Sequence, residues 1–292
     1  MPRPLVYFVG VSNGQSKAMS LFPSWAAALG IDAQLVGRDL PLDAPPRAFR
    51  SLLEEIRGDA RVVGAVVTSH KLNLLRHGRD LFSDLDPMAR LCGEVGCISK
   101  SKGGLIGHAI DSASTGRAID EIVGPAYWEG SDAEVLCLGA GGAGLAIAVS
   151  LISSPRPPAR ITMSDTRSEA LDHVRFVQGS LAGATDLRLE LVSRAEESDA
   201  LTNALPRGSL VINATGLGKD LPGSPLADRA VFPARGIAWD LNYRGELLFL
   251  DQARRQSRTA GLRVVDGWRL FLYGWSEGLS RILGRAIALD LL

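Results

Sequence analysis

The sequence predicts a two-domain α/β protein, an N-terminal α/β substrate domain joined to a C-terminal Rossmann dinucleotide-binding domain. Three observations lead there. The chain has 292 residues, 46% of them hydrophobic, enough for two sizeable cores. Short apolar runs alternate with amphipathic stretches at helical period, the signature of mostly parallel sheets with crossover helices. At residues 135–148 an apolar run enters a glycine-rich turn and leaves it through small apolar residues, VLCLGAGGAGLAIA.

Taken in order, apolar runs predict strands near residues 5–9, 34–36, 61–67 and 104–108, separated by helices near 18–29, 48–57 and 71–79. A helix from 114 to 123 leads into the second unit. Strands follow there at 135–138, 160–164, 187–191, 210–213 and 237–240, with helices over 144–152, 167–178 and 246–256. The final stretch, DGWRLFLYGWSEGLSRILGRAIALDLL, repeats apolar residues every three or four positions and reads as helix. The expected boundaries are 1–112 for the first domain and 113–265 for the second.

Lys plus Arg and Asp plus Glu both number 32, so no net charge draws the chain toward nucleic acid or a membrane surface. No apolar run is long enough to span a bilayer, and the N-terminus does not read as a signal peptide. A cytoplasmic location is expected. Cys92, Cys97 and Cys137 have no metal or redox spacing, and Cys137 reads as a small core residue. The four histidines make no metal motif.

The glycine loop spells G-x-G-G-x-G over Gly139, Ala140, Gly141, Gly142, Ala143 and Gly144. Between a strand and a helix, such a loop lets the backbone approach a pyrophosphate, which the free amides and dipole of the helix N-terminus attract. Asp165 ends the next predicted strand about twenty residues on, where a carboxylate accepts hydrogen bonds from the adenosine ribose. That favours NAD. Arg167, two residues later, is the route to NADP instead, and Asp165 also suits capping of the following helix.

With these residues in place, the whole chain resembles the shikimate/quinate dehydrogenase family. The family's GAGGA loop is matched by residues 139–143 and its NAT segment by Asn213, Ala214 and Thr215, followed by Gly216. Its Asp-x-x-Tyr is matched by Asp240 and Tyr243, and its VTxPxK-like segment by VVTSHK, ending at Lys71. Its GxxxD turn is matched by Gly107 and Asp111. The resemblance implies that Lys71 and Asp111 are catalytic. It also implies that the glycine loop, Asp165, Arg167, Asn213, Thr215 and Gly216 hold the cofactor, and that Ser16 and Tyr243 meet the substrate. The last helix, from about 266 to 292, would return to the first domain, with the cofactor at the strand ends of the second and a cleft between.

Departures fall on the substrate side. The family's S-x-S-P reads Ser16, Lys17, Ala18, Met19; the asparagine of GAVNT is Gly96; an asparagine before the lysine is Ala65 or Val66; a glutamine of the last helix is Gly274. His70 and His108, beside the reacting pair, could face the cleft in compensation or be ordinary loop residues.

Hydride transfer at a ring carbon leaves an oxygen that must exchange a proton, and a positioned lysine can donate or accept it. A free lysine titrates near roughly 10.4, so base character needs desolvation, and a nearby Asp111 opposes it. The expected function is an NAD(P)-dependent oxidoreductase interconverting alcohol and ketone on a shikimate- or quinate-like cyclic hydroxy acid, with a homodimer as one assembly. The alternatives are a paralogue acting on another cyclitol or hydroxylated ring, and a nucleotide-binding regulator without turnover.

Overall fold

The computed structural model describes residues 3–124, 126–183, 185–219 and 221–292. It divides into two compact units, one comprising Met1–Asp111 with Leu272–Leu292 and the other Ser112–Phe271.

The first unit runs β1 (Leu5–Gly10), α1 (Lys17–Leu29), β2 (Gln34–Asp39), α2 (Pro46–Gly58), β3 (Val62–Val67), α3 (Lys71–Gly78), β4 (Phe82–Leu85), α4 (Pro87–Cys92), β5 (Cys97–Ser101) and β6 (Gly104–His108). The sheet order is β2-β1-β3-β5-β6-β4. Its strands pair in parallel except that β5 lies antiparallel to both β3 and β6. The sequence reading places no element between residues 79 and 104, where β4, α4 and β5 form. The α4 helix is set locally: Asp86 accepts the Ala89 amide at 2.7 Å, Pro87 occupies the first turn, and Gly93 at φ +68° ends it. Helix α2 buries Phe49, Leu52, Leu53 and Ile56, one face at spacings of three and four, into a core with Val9, Val67, Leu74 and Ile98.

The second unit begins with helix α5 (Asp111–Val123), whose first residue closes the preceding unit. There follow β7 (Val135–Leu138), α6 (Gly142–Ile152), β8 (Arg160–Asp165), α7 (Ser168–Gln178), β9 (Asp186–Leu191), α8 (Ala195–Asn203), β10 (Leu210–Asn213), β11 (Ile237–Asp240), α9 (Leu248–Ala260) and β12 (Arg263–Val265). The six strands are parallel in the order β12-β11-β10-β7-β8-β9. That is the doubly wound arrangement, with its switch point between β7 and β10. Strands β7 and β10 are wholly buried, as befits the centre of a sheet covered on both faces.

The last helix, α10 (Trp268–Leu283), is shorter than the sequence suggests, because Gly284 at φ +65° stops it and a single 3₁₀ turn over Leu289–Leu291 follows. Its C-terminal part belongs to the first unit. There Trp275 packs on Phe8, Trp25 and Phe22 with ring centroids 5.1, 5.5 and 6.4 Å away. Among the described residues, no helix is long and apolar enough to cross a membrane.

Candidate active site

In the second unit, β7 delivers the chain to Gly139, whose φ of +104° is open only to glycine at low cost. A Cβ at Gly139 would stand 3.0 Å from the Ala214 carbonyl, so the loop lies flat against the end of β10. Gly141 caps α6, and the first bond along the helix runs from the Leu145 amide to the Gly141 carbonyl at 2.8 Å. The amides of Gly142, Ala143 and Gly144 thus precede the helical ladder and are free to face an anion.

Before this loop opens a cavity of about 550 Å³, lined by Gly139, Gly141, Asp165, Arg167, Thr215 and Gly216 among others. Of the residues assigned to the cofactor, these six line it, whereas Gly142, Ala143 and Asn213 do not. Asn213 is fully buried and acts at one remove. Its Oδ1 accepts from the Thr215 amide at 3.0 Å and hydroxyl at 2.6 Å, while its amide donates to Asp240 at 3.1 Å. Burial pushes the Asp240 carboxyl up to about 6 even though Asn213 and Asn242 bond to it.

Asp165 is already engaged. Its Oδ2 accepts the Ala140 amide at 2.8 Å, and its Oδ1 accepts the Arg167 amide at 2.9 Å and Nε at 3.2 Å. Burial works to raise its carboxyl, but the Ala140 amide and Arg167 outweigh that and hold it below the usual range. A carboxylate offers about four acceptor positions, so three are filled and one is left for a hydroxyl. Arg194, also on the cavity wall, was not singled out from sequence; it immediately precedes α8, as Arg167 immediately precedes α7. The glycine cradle, the amides of α6 and the hydroxyl acceptor fit an adenine dinucleotide.

In the first unit, a second constellation forms. Lys71 opens α3 just after β3, and Asp111 opens α5 just after β6. Strands β3 and β6 are tied together by Gly96: the Val67 amide donates to its carbonyl at 2.9 Å, and its own amide donates to the His108 carbonyl at 2.8 Å. Forty residues apart in sequence, Lys71 Nζ and an Asp111 carboxylate oxygen thereby meet in an ion pair, with side chains 18% and 21% exposed. A Cβ on Gly96 would stand 3.5 Å from Asp111 Oδ1 and 3.2 Å from Ile110, so the bare backbone gives Asp111 its room.

Beneath the pair lies Glu94, which sequence reading passed over. It is 3% exposed and its Oε2 has no hydrogen-bond partner. The signal was there: a single acid within the otherwise apolar stretch LCGEVGCI. Burial works to lower the pKa of Lys71, but the charges of Asp111 and Glu94 and the bond to Asp111 outweigh it and hold the ammonium above its ordinary value.

The two histidines do not fill the substrate-side gaps. His70 is buried, with Nε2 2.8 Å from the Leu40 carbonyl and its ring edge-on to Phe49 at 5.3 Å. His108 is also buried, with Nε2 2.8 Å from Ser99 Oγ and Nδ1 3.4 Å from Asp86. Ser16 caps α1, accepting the Ala18 amide at 3.3 Å, which leaves its hydroxyl hydrogen free to donate. A side chain at Gly274 would meet nothing within 4 Å. Tyr243, in the second unit, is half-buried against Phe271 and Trp268 with centroids 4.7 and 5.6 Å away.

No family model matches the chain. It is 30% identical over 285 residues to the shikimate dehydrogenase (NADP(+)) of Methylobacterium radiotolerans, covering 96% of this chain and 92% of that protein. It is 29% identical over 289 residues to the enzyme of the same name from Caulobacter vibrioides, covering 95% and 90%. Its fold is similar to that of Listeria monocytogenes shikimate 5-dehydrogenase in complex with shikimate and NAD, with a TM-score of 0.75, 17% identity and coverage of 99% and 94%. The doubly wound second unit agrees with those likenesses, and the chain belongs to the shikimate dehydrogenase family.

Proposed function

We propose that the protein is an NAD(P)-dependent oxidoreductase that interconverts a secondary alcohol and a ketone on a cyclic hydroxy acid of the shikimate or quinate type. The observation that carries this is the Lys71–Asp111 pair, an ammonium and a carboxylate brought together by two different strand ends.

The nicotinamide ring, when bound, supplies or accepts the hydride. The chain's own residues handle the oxygen. A charged Lys71 donates a hydrogen bond and then a proton to the ketone oxygen as negative charge gathers there. Asp111 holds the ammonium in place and is the acceptor beside it. In the oxidising direction, a neutral Lys71 acting as base is opposed by both carboxylates around it, so the hydroxyl proton is taken up by the pair as a unit. In the second unit, the α6 amides would take the pyrophosphate and the free acceptor position of Asp165 an adenosine ribose hydroxyl, which favours NAD. Arg167 and Arg194 on the same wall are the groups an NADP phosphate would use.

Initial rates with shikimate, quinate and a panel of cyclitols, each with NAD and NADP, test the reading. Turnover of a ring hydroxy acid supports it; turnover of a cyclitol alone moves the substrate class; absence of turnover on every pair overturns it. The three cysteines are buried thiols, which suits a reducing cytoplasm. A homodimer is one assembly open to the chain, and light scattering distinguishes it from a monomer.

A further inference from the structure

Glu94 is a buried acid with no assigned task. It lies in the turn between α4 and β5, next to Val95, whose amide donates to the Lys71 carbonyl at 3.1 Å. Two residues on, Gly96 abuts the Asp111 carboxylate. The turn therefore threads behind both members of the reacting pair, and it carries the Glu94 carboxyl with it. A buried carboxyl oxygen with no partner is costly, and a merely structural position would be served by an apolar side chain.

We propose that Glu94 is a positioning residue for the reaction: its carboxyl, enclosed behind Lys71 and Asp111, sets the charge state in which that pair meets the substrate. This rests on the reading of Lys71 and Asp111 as the reacting groups. The titratable groups around Glu94 are Lys71 from the start of α3, Asp111 from the start of α5 and the Cys92 thiol from the end of α4. Asp86, at the start of α4, is committed to the Ala89 amide and stands beside His108. The Cys92 thiol is pushed up to about 12 by burial and the neighbouring acids, so it stays neutral. The balance thus lies between one cation and two carboxylates. Burial, helped by Asp111 and opposed by Lys71, pushes the Glu94 carboxyl up to about 7.

Two forms of the site follow. With Glu94 protonated, Lys71 and Asp111 form a neutral pair, and the ammonium gives up its proton to a developing alkoxide more readily. With Glu94 ionised, the site carries a net negative charge and Lys71 holds its proton harder. Glu94 touches neither substrate nor cofactor in this scheme; it acts through Lys71.

The chain has five lysines, so the test is direct. Full-length protein labelled with [¹⁵N]lysine is titrated by NMR at the side-chain nitrogens, with the Lys71 signal assigned by its loss in Lys71→Met. The expected result is a step in the Lys71 signal with a midpoint near pH 7 that is absent in Glu94→Gln and Glu94→Ala, both checked for folding by circular dichroism. A wild-type signal without that step, or a step that survives in both variants, overturns the proposal whether or not the substrate is known. Steady-state kinetics on an active substrate then asks for a role beyond structure. The inflection of kcat near neutral pH should vanish in Glu94→Gln while KM stays within about twofold. An unchanged kcat profile overturns the positioning role. A wild-type protein that turns over nothing in the panel defeats the functional reading, while the NMR step still decides whether Glu94 governs Lys71.

Discussion

Gly144 tests the cofactor loop most sharply. Inside a helix, replacing glycine by alanine ordinarily stabilises by about 1 kcal/mol. Here the added Cβ would stand 2.9 Å from the carbonyl carbon of Gly139 and closer still to its oxygen, against an ordinary carbon contact of about 3.5–4.0 Å. The atoms struck are backbone, and Gly139 has nowhere to retreat, because it already rests on Ala214 and Thr215 at 3.0 Å. Overpacking of this kind costs about 1–3 kcal/mol, which offsets the helix gain and leaves a net loss of up to about 2 kcal/mol. The loop can relieve the clash only by moving off the end of β10, which displaces the amides meant for the pyrophosphate. Affinity for NADH or NADPH should then drop by roughly 10- to 100-fold, equivalent to about 1.4–3 kcal/mol. The assay is fluorescence titration with both cofactors, alongside thermal melts. Gly216→Ala serves as the stability control, since a Cβ there meets nothing within 4 Å. A Gly144→Ala protein that binds as tightly as wild type and melts no lower would refute the close loop–helix approach and the cradle built on it.

Three other outcomes are expected. Lys71→Ala lowers turnover by roughly two to four decades with little change in dinucleotide affinity, Asp111→Asn also impairs turnover, and the double variant is little worse than the worse single one; steady-state kinetics on all three checks this. Asp165→Ser removes the ribose acceptor and frees Arg167 from its partner, so binding shifts toward NADPH; a native protein that already prefers NADPH in titration would transfer the specificity to Arg167 and Arg194. For stability, Glu94 has a clear sign: its folded carboxyl titrates near 7 against a reference of 4.5, so between those values the folded state binds more protons than the unfolded one and stability falls as pH rises. Glu94→Gln lacks this, so its stability should gain on wild type from pH 4.5 to 7 and then hold level, by at most about 3.4 kcal/mol, as melting temperatures across that range would show.

How much of this could be read in the residues depends on how local each signal is. The β7–glycine loop–α6 unit was legible because its reasons lie within fourteen residues: an apolar strand, glycines where no Cβ fits, and small residues where the helix is buried. Lys71 and Asp111 were reached through motif resemblance; nothing local says that positions forty apart will touch. The antiparallel β5 was missed even though Ser101 pairs with Gly104 across a two-residue Lys102-Gly103 turn, a hairpin signal in plain view. The expectation of mostly parallel sheets hid it. The Asp86-Pro87 start of α4 was equally readable and equally overlooked. Strand β12, at three residues, is too short to carry a pattern. Glu94 could not be found by pattern, because its burial is a product of the turn that ties β3, β5 and β6 together. The histidines show the converse: proximity in sequence to Lys71 and Asp111 did not bring His70 or His108 out of the core.

The first unit breaks local rules in one place, and the breaks compensate one another. Lys71 puts a cation in the first turn of a helix, against the dipole, at a cost of about 0.3–1 kcal/mol. Glu94 buries an acid, and Gly96 leaves the backbone bare beside a carboxylate. Each choice is unfavourable alone. Together they supply an ammonium with two counter-charges and clear room around one of them. Stability does not demand this, since replacing a buried ion pair by well-packed apolar side chains is often neutral or better. A cluster of charges that costs stability is what a reacting centre tolerates. The substrate side argues in the same direction. Ala18 is buried and supplies no polar atom, Gly274 supplies no side chain, and Ser16 keeps only a donor hydrogen after capping α1. With Ala18 and Gly274 offering no polar group to a ring carboxylate, discrimination among ring compounds shifts toward the Lys71 end, where the oxygen reacts. An enzyme built this way should accept several cyclic alcohols with similar kcat and weak, uneven KM.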